Sequence, residues 1–522
     1  MPNRRTVLQG AVALAVNAGL IGRAAGQAKW TSDPFQLGVA SGCPRPDGFV
    51  LWTRLAPDPL SADPATPGGM TGGDVPVTYE VATDPAMRNI ARHGRARAEA
   101  AFAHSVHEQV SGLSPGRDYW YRFTSGGAQS RIGHVRTAPA IGAATERMRF
   151  GFVSCSNYEF GYFSAYRHLA AEDPALIIFL GDYIYEHIDP RAHTRRHSDN
   201  AEAKTLQGYR NRYAQYRLDP DLQTLHAAAA ALATWDDHEV QNDYADQWSQ
   251  TFDPPEIFLA RRATAYQAFY EHMPVQPHLS RPNGPAMRVY DRFAFGDLVA
   301  FHLIDGRQYR SREACYAPPD KGRAHAVNGA ICPELLQPGR SMLGRMQEAW
   351  LFDGLSRSRA RWNILAQDVL MTRLRERQGD GSFDVWSDDW NGYPASRTRV
   401  LQHIRDSRVA NPVVIGGDIH SFWANELKLD FDDARAPVIA TELVGTSITS
   451  PPGPEEMFRA YVRDNPNVKF FDGRHRGYVC ADILPGRMES RFQIVSDVTD
   501  PKATRSTLAT AVIEDGRAGV SI

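Results

Sequence analysis

Four times in this chain an apolar run stops and a carboxylate follows within three residues. The runs are Ala175 to Leu180 before Gly181-Asp182, Phe295 to Ile304 before Asp305, Trp362 to Ala366 before Gln367-Asp368, and Pro412 to Ile415 before Gly416-Gly417-Asp418. A fifth run, Phe150-Gly151-Phe152-Val153-Ser154, ends in the thiol of Cys155. Continuous apolar runs of this length are strands buried on both faces, and the helical pattern from Ala165 to Glu172, between the Phe150 run and the Ala175 run, calls for a largely buried α/β sheet. In open α/β folds ligands gather along the carboxyl edge of the strands, so these polar endings are expected to converge. The later runs at 478–482 and 490–495 alternate and are expected to be antiparallel.

The amino-terminal part has a different texture. From Phe35 to Pro139, short alternating runs (Phe49 to Thr53, Val77 to Val81, Tyr119 to Phe123) are broken by turn residues such as Ser114-Pro115-Gly116. Such spacing argues for a small β-sandwich. Leu113-Ser114-Pro115-Gly116 followed by Tyr119, Tyr121 and Phe123 is similar to a fibronectin type III segment. At 522 residues the chain is long enough for two to four domains.

Charge excludes some partners. Lys and Arg number 58 against 60 Asp and Glu, so no global field draws the chain to nucleic acid or an anionic membrane, and attraction for phosphate must be local. At the start, Arg4-Arg5, the apolar stretch Ala11 to Ile21 and the small residues Ala24-Ala25-Gly26 have the three-part layout of a signal peptide of the twin-arginine type, expected over 1–27. No later segment has the ~20 consecutive apolar residues of a membrane span. The expected location is therefore periplasmic or secreted. Of five cysteines, Cys315 and Cys332 fall in an irregular stretch and are the expected disulfide.

Three clusters carry chemistry. Asp182 and Tyr185 form Gly-Asp-x-x-Tyr at a strand end; carboxylate and phenolate suit a hard, oxidised metal, although a helix cap with a core tyrosine reads equally well in isolation. Asp236-Asp237-His238-Glu239 follows the helix-like run Ala227 to Ala233. If buried, carboxylates this dense require a cation, and if solvated they mean nothing. A zinc-protease reading fails because position 242 is Asn rather than His. The third cluster, Gly416-Gly417-Asp418-Ile419-His420, again ends a strand, and Asp-x-His sets both side chains on one side of an extended segment. Arg210 and Arg212, in Tyr209-Arg210-Asn211-Arg212-Tyr213, are either a phosphate clamp or a packed helix face. The loop with Trp386, Asp388, Asp389, Trp390 and Tyr393 is a candidate border of the site. No phosphate-binding Gly-x-x-x-x-Gly-Lys loop occurs.

Taken in order, Leu37 to Gly42, Leu51 to Leu55, Val153 to Asn157, Leu180 to Glu186, Tyr209 to Tyr216, Trp235 to Glu239 and Gly416 to Ser421 resemble the alkaline phosphatase D (PhoD-like) family of calcineurin-like metallophosphoesterases. The resemblance runs over nearly the whole mature chain. It implies an α/β (α+β) architecture, with a fibronectin-III-like β-sandwich over 33–140 and a metallophosphoesterase-type β-sandwich with flanking helices over 147–510. It also implies ferric iron (Fe3+) on Cys155, Asp182 and Tyr185 with Asp418 or His420, and calcium (Ca2+) on neighbouring carboxylates. Asp237 then stands where the superfamily has a metal-binding Asn, and His238 faces the phosphate as proton donor or phosphate contact. Asp236, Asp237 and Asn242 remain alternatives for calcium.

The expected reaction is in-line hydrolysis of a phosphate monoester or diester by a metal-activated oxygen. The expected partners are small phosphate esters or phospholipids, acting on a monomer. A phospholipase D of the same family and a non-catalytic extracellular calcium-binding protein are the rival readings.

Overall fold

The computed structural model describes residues 30–316 and 324–522. The expected leader over 1–27 lies outside the described residues. Two large mixed sheets dominate. The first has nine strands in the order Arg505–Glu514, Arg487–Val495, Gly477–Ile483, Met148–Val153, Leu176–Leu180, Ala230–Thr234, Val39–Arg45, Gly48–Arg54 and Ser105–Val110. The second has seven, in the order Asp291–Phe295, Val299–Leu303, Trp362–Ala366, Pro412–Gly416, Val438–Val444, Phe422–Lys428 and Val468–Asp472. Each sheet is parallel at its centre and antiparallel toward its edges. The expected antiparallel pairing of the late strands is present.

Side-chain alternation along the central strands explains the layering. Leu176, Ile178 and Leu180 join Phe150 and Phe152 in the core between the sheets, together with Phe301, Ile364, Val413 and Ile415 of the second sheet. Phe150 meets Phe301 edge-on across that interface, with ring centroids 5.1 Å apart. The intervening Ile177 and Phe179 face outward, where residues of the helices Leu206–Arg217, Pro220–Ala228 and Pro255–His272 cover them. Helices Gly344–Arg357 and Pro394–Asp406 cover the outer face of the second sheet in the same way. Each large apolar side chain so buried contributes roughly 2 kcal/mol, and every central strand is packed on both sides. The result is a helix, sheet, sheet, helix stack, the mixed α/β class expected from the strand pattern.

The amino-terminal region is arranged differently from the separate sandwich expected over 33–140. Three of its strands extend the nine-stranded sheet, Val39–Arg45 pairing in parallel with Ala230–Thr234 at Ser41 to Ala230 and Gly42 to Ala231. The others form a five-stranded sheet packed on that extension through Val77, Val81, Tyr121 and Phe123. Close approach fixes the join: a Cβ on Gly42 would lie 2.1 Å from the Pro274 carbonyl oxygen. Local alternation says that a strand is half-buried, not which sheet it enters.

The run Ala227 to Ala233 also departs from its helical reading. The helix ends at Ala228, and Ala230–Thr234 is a central parallel strand. Small residues suit that position because both faces are closely covered. Cys315 and Cys332 form the expected disulfide. Among the described residues, no helix is long and apolar enough to cross a membrane.

Candidate active site

The carboxyl ends of the parallel strands meet at one edge, and the chain turns sharply there. Cys155 (φ 59°), Asp182 (φ 52°), Asp418 (φ 67°) and His420 (φ 53°) all adopt the left-handed conformation. Each such non-glycine residue costs about 1–2 kcal/mol. Four at a single edge indicate that side-chain placement outweighs backbone preference. Gly181 is dictated by close approach, since a Cβ there would sit 2.3 Å from that of Asp236. A Cβ on Gly417 would lie 2.4 Å from the Ser154 hydroxyl.

These turns bring together ligand atoms of Cys155, Asp182 and His420 within 4.8 Å of one another. Asp182, Asp237 and His238 form a second such group, and Asp237, Asp243 and Asp388 a third. Tyr185 joins the first: its hydroxyl is 2.8 Å from Asp182 Oδ2 and 3.2 Å from His420 Nε2. His420 Nδ1 donates to the Pro451 carbonyl at 2.9 Å, which leaves Nε2 as an acceptor. Tyr185 therefore has one proton for two acceptors. The second oxygens of Asp182 and Asp236 are buried without any hydrogen-bond partner. Cys155, Asp182 and His420, with the Tyr185 hydroxyl beside them, are placed to hold a cation, and thiolate, phenolate, carboxylate and imidazole together are a donor set of the kind transition metals take.

The electrostatics agree. Burial, followed by the charges of Asp182 and Asp418, pushes the Cys155 thiol well above its ordinary range. Burial and Asp182 do the same to the Tyr185 phenol. Burial, with Asp237 and Asp236 and against the pull of His238, raises Asp182 far out of the carboxylate range, and burial with Asp236 and Asp237 raises Asp418 likewise. Asp236 is pushed up to about 6 by burial despite Arg307. Asp237 goes the other way, to about 2, because Arg307 and His238 outweigh its burial. His420 is lowered to about 3 by burial and Arg476. Without added positive charge these groups cannot ionise together.

Around the ligands stands a bracing set. Glu239 accepts backbone N–H bonds from Asp182 (3.0 Å), Tyr183 (2.6 Å) and Asp236 (2.8 Å), tying the two acidic loops to each other. Glu186 accepts from His238 Nδ1 at 2.7 Å and from the Asn242 N–H at 2.9 Å. His238 is held well above its usual pKa: burial opposes this, but Asp237 and Glu186 prevail. Arg307, fully buried, bonds Asp236 and lies 2.8 Å from Asp388 and 3.8 Å from Asp237.

Sequence reasoning missed Arg307, Glu186 and Asp243. Arg307 follows the strand ending Leu303-Ile304-Asp305, so the strand-end rule, carried two residues further, would have reached it. Asp388 enters from a loop, and its contacts with Arg307 and Arg310 give the bordering loop a definite place. Asn242 meets the cluster through its backbone N–H to Glu186. Arg210 is corrected: its guanidinium makes paired bonds of 2.7 and 2.6 Å to buried Glu271, so it is a helix-packing ion pair and no phosphate clamp. Arg212 likewise spends its donors on the Tyr185 and Ala201 carbonyls and on Asp199.

A two-sheet α/β sandwich that gathers thiol, carboxylate, phenol and imidazole at its strand ends has the arrangement a metal-centred hydrolase requires. Comparison with known proteins narrows this. The profile of the PhoD-like phosphatase family matches residues 150–492, and that of the PhoD-like phosphatase N-terminal domain matches 22–139. The alkaline phosphatase D of Bacillus subtilis (strain 168) is 42% identical over 501 residues, spanning 94% of this chain and 82% of that protein. A solved structure of PhoD superposes with a TM-score of 0.88 at 41% identity, covering 95% of this chain and 93% of that one. The chain belongs to the PhoD-like phosphatase family.

Proposed function

We propose that the chain hydrolyses phosphate esters at a centre built from Cys155, Asp182, Tyr185 and His420, with a second cation position among Asp237, Asp243 and Asp388. Family membership makes it a phosphoester hydrolase. The observation that carries the residue assignment is the convergence of Cys155, Asp182 and His420 within 4.8 Å, with the single Tyr185 proton facing two acceptors. The donor set favours ferric iron at the first position, and the all-oxygen set favours calcium at the second. Bound there, such cations supply the positive charge that polarises a phosphoryl group.

The chain's own residues do the rest. Glu239 fixes the loops that carry Asp182 and Asp236. Glu186 holds the Nδ1–H of His238, which leaves Nε2 to carry the proton delivered to the departing oxygen. Arg307 balances Asp236 and Asp388 with a charge that does not titrate. The paired arginines and apolar run at the start support export by the twin-arginine route, with the ester met outside the cytoplasmic membrane.

Asp182→Asn and Cys155→Ala test the centre. Iron measured by elemental analysis is expected to fall to trace levels in both. Turnover is expected to drop by more than about a hundredfold, since changes to residues that merely orient metal ligands already cost about 10–100-fold. Wild-type iron and wild-type turnover in both variants would remove the assignment.

A further inference from the structure

Beside the centre lies a cleft of about 320 Å³, most of whose lining the hydrolytic chemistry does not use. Asp418 and His420 are among the residues that line it, so the cleft adjoins the candidate centre. Ile419, between these two, lines it together with Leu370, Leu374, Trp386, Met457 and Phe458. Leu370 and Leu374 belong to a packed cluster against which Ile419 and Phe458 rest, so this wall is preformed. Trp386 and Met457 are each 40% exposed, so two large apolar side chains of the cleft wall are open to solvent beside the polar residues of the centre.

The charges point the same way. Among the described residues no Lys or Arg lines the cleft, so none of these side chains offers a cation to a second phosphate or another anionic group. Of its two peripheral acids, Asp389 spends its carboxylate on the Asn391 backbone and side-chain N–H groups, at 2.7 and 3.1 Å. Glu376 is pushed up to about 7 by burial and by Asp384.

We propose that this cleft is the leaving-group subsite and that it selects phosphate esters of uncharged apolar alcohols and phenols, with Trp386 and Met457 as the specificity-determining residues. The inference rests on the phosphoesterase reading given above. A phosphorus atom at the centre leaves the ester oxygen toward either bulk water or the cleft wall, and an aryl or alkyl group directed into the cleft gains burial that a small polar alcohol cannot. Each methylene fully buried there is worth about fourfold in affinity.

The test compares phenyl phosphate with 4-butylphenyl phosphate, each as the monoester and as the methyl diester, since their phenols are of nearly equal acidity. For whichever ester class is turned over, kcat/KM is expected to favour the butylphenyl ester by about tenfold or more. Trp386→Ala and Met457→Ser, made singly, are expected to cut that preference by at least about threefold while changing the phenyl ester less. Both positions are half-exposed, so a folding defect in one leaves the other as the test. Calorimetric binding of 4-butylphenylphosphonate against phenylphosphonate is expected to give the same ranking without turnover. Turnover of phenyl and butylphenyl esters at equal kcat/KM, or a preference indifferent to both substitutions, overturns the subsite and leaves the phosphoesterase reading standing. Turnover of none of the four esters overturns both.

Discussion

Glu239 acts on the site through the backbone it holds, and its replacement by Gln is expected to damage both stability and turnover. Its carboxylate receives three backbone N–H groups, from Asp182 and Asp236 on one oxygen and from Tyr183 on the other. A glutamine has one acceptor oxygen. Its best placement keeps the Asp182 and Asp236 bonds and turns an NH2 toward the Tyr183 N–H. That leaves a buried donor unpaired, at about 1–3 kcal/mol, and weakens two charge-assisted bonds to neutral ones, at roughly 1 kcal/mol more. Thermal or urea unfolding is therefore expected to register a loss of about 2–4 kcal/mol. Because the same carboxylate fixes the turn at Asp182 to that at Asp236, kcat is expected to fall about a hundredfold, the usual effect of an ångström-scale misplacement. Metal content, measured alongside, is expected to fall less than in Asp182→Asn, because every ligand remains. An E239Q protein with wild-type stability and turnover would refute the claim that this residue ties the loops together.

Two further outcomes follow from the charge layout. Arg210→Ala is expected to leave KM and kcat on a phosphate ester within about twofold and to cost about 3–5 kcal/mol of stability, since it strands the buried Glu271 carboxylate; a large rise in KM with unchanged stability would restore the phosphate-clamp reading. Stripping the protein of cations with a chelator is expected to make its stability decline as pH rises. Asp182, Asp236 and Asp418 have folded values above the ordinary carboxylate value of about 4. Their contribution is therefore full below that value and is lost as pH climbs through the folded ones. For Asp236, raised to about 6, the loss is on the order of 3 kcal/mol. Calorimetric scans from pH 4 to 8 with and without added iron and calcium check this, and a chelated protein that gains stability with pH would contradict it.

What could be read from the sequence depended on whether a residue's role was local or collective. Cys155, Asp182 and Asp418 were legible because a buried parallel strand announces itself by continuous apolarity, and its carboxyl end is a fixed address in this type of fold. Tyr185, His238 and His420 stand in the same local clusters, and the family pattern added the roles expected of them. Arg210 misled because a helix bearing alternating rings and guanidinium groups reads alike whether the charge meets a phosphate or an internal carboxylate; only the neighbouring helix, with Glu271, decides. Asp388 shares an acidic cluster with Asp237 and Asp243 although 145 residues separate it from Asp243, and no periodicity marks it. The same holds for the amino-terminal strands. Val39–Arg45 joins Ala230–Thr234 because glycine lets it pass the Pro274 carbonyl, a fact about two surfaces meeting, whereas an alternating pattern reports on one surface alone. The apolar cleft belongs to this second kind as well. Leu370, Trp386, Ile419 and Met457 come from four separate segments, none with a pattern that announces an apolar wall, and their common character emerges only where the strand ends have already gathered the acids beside them. In this chain the strand edges set the chemistry, and the loops that close over them set the environment in which it runs.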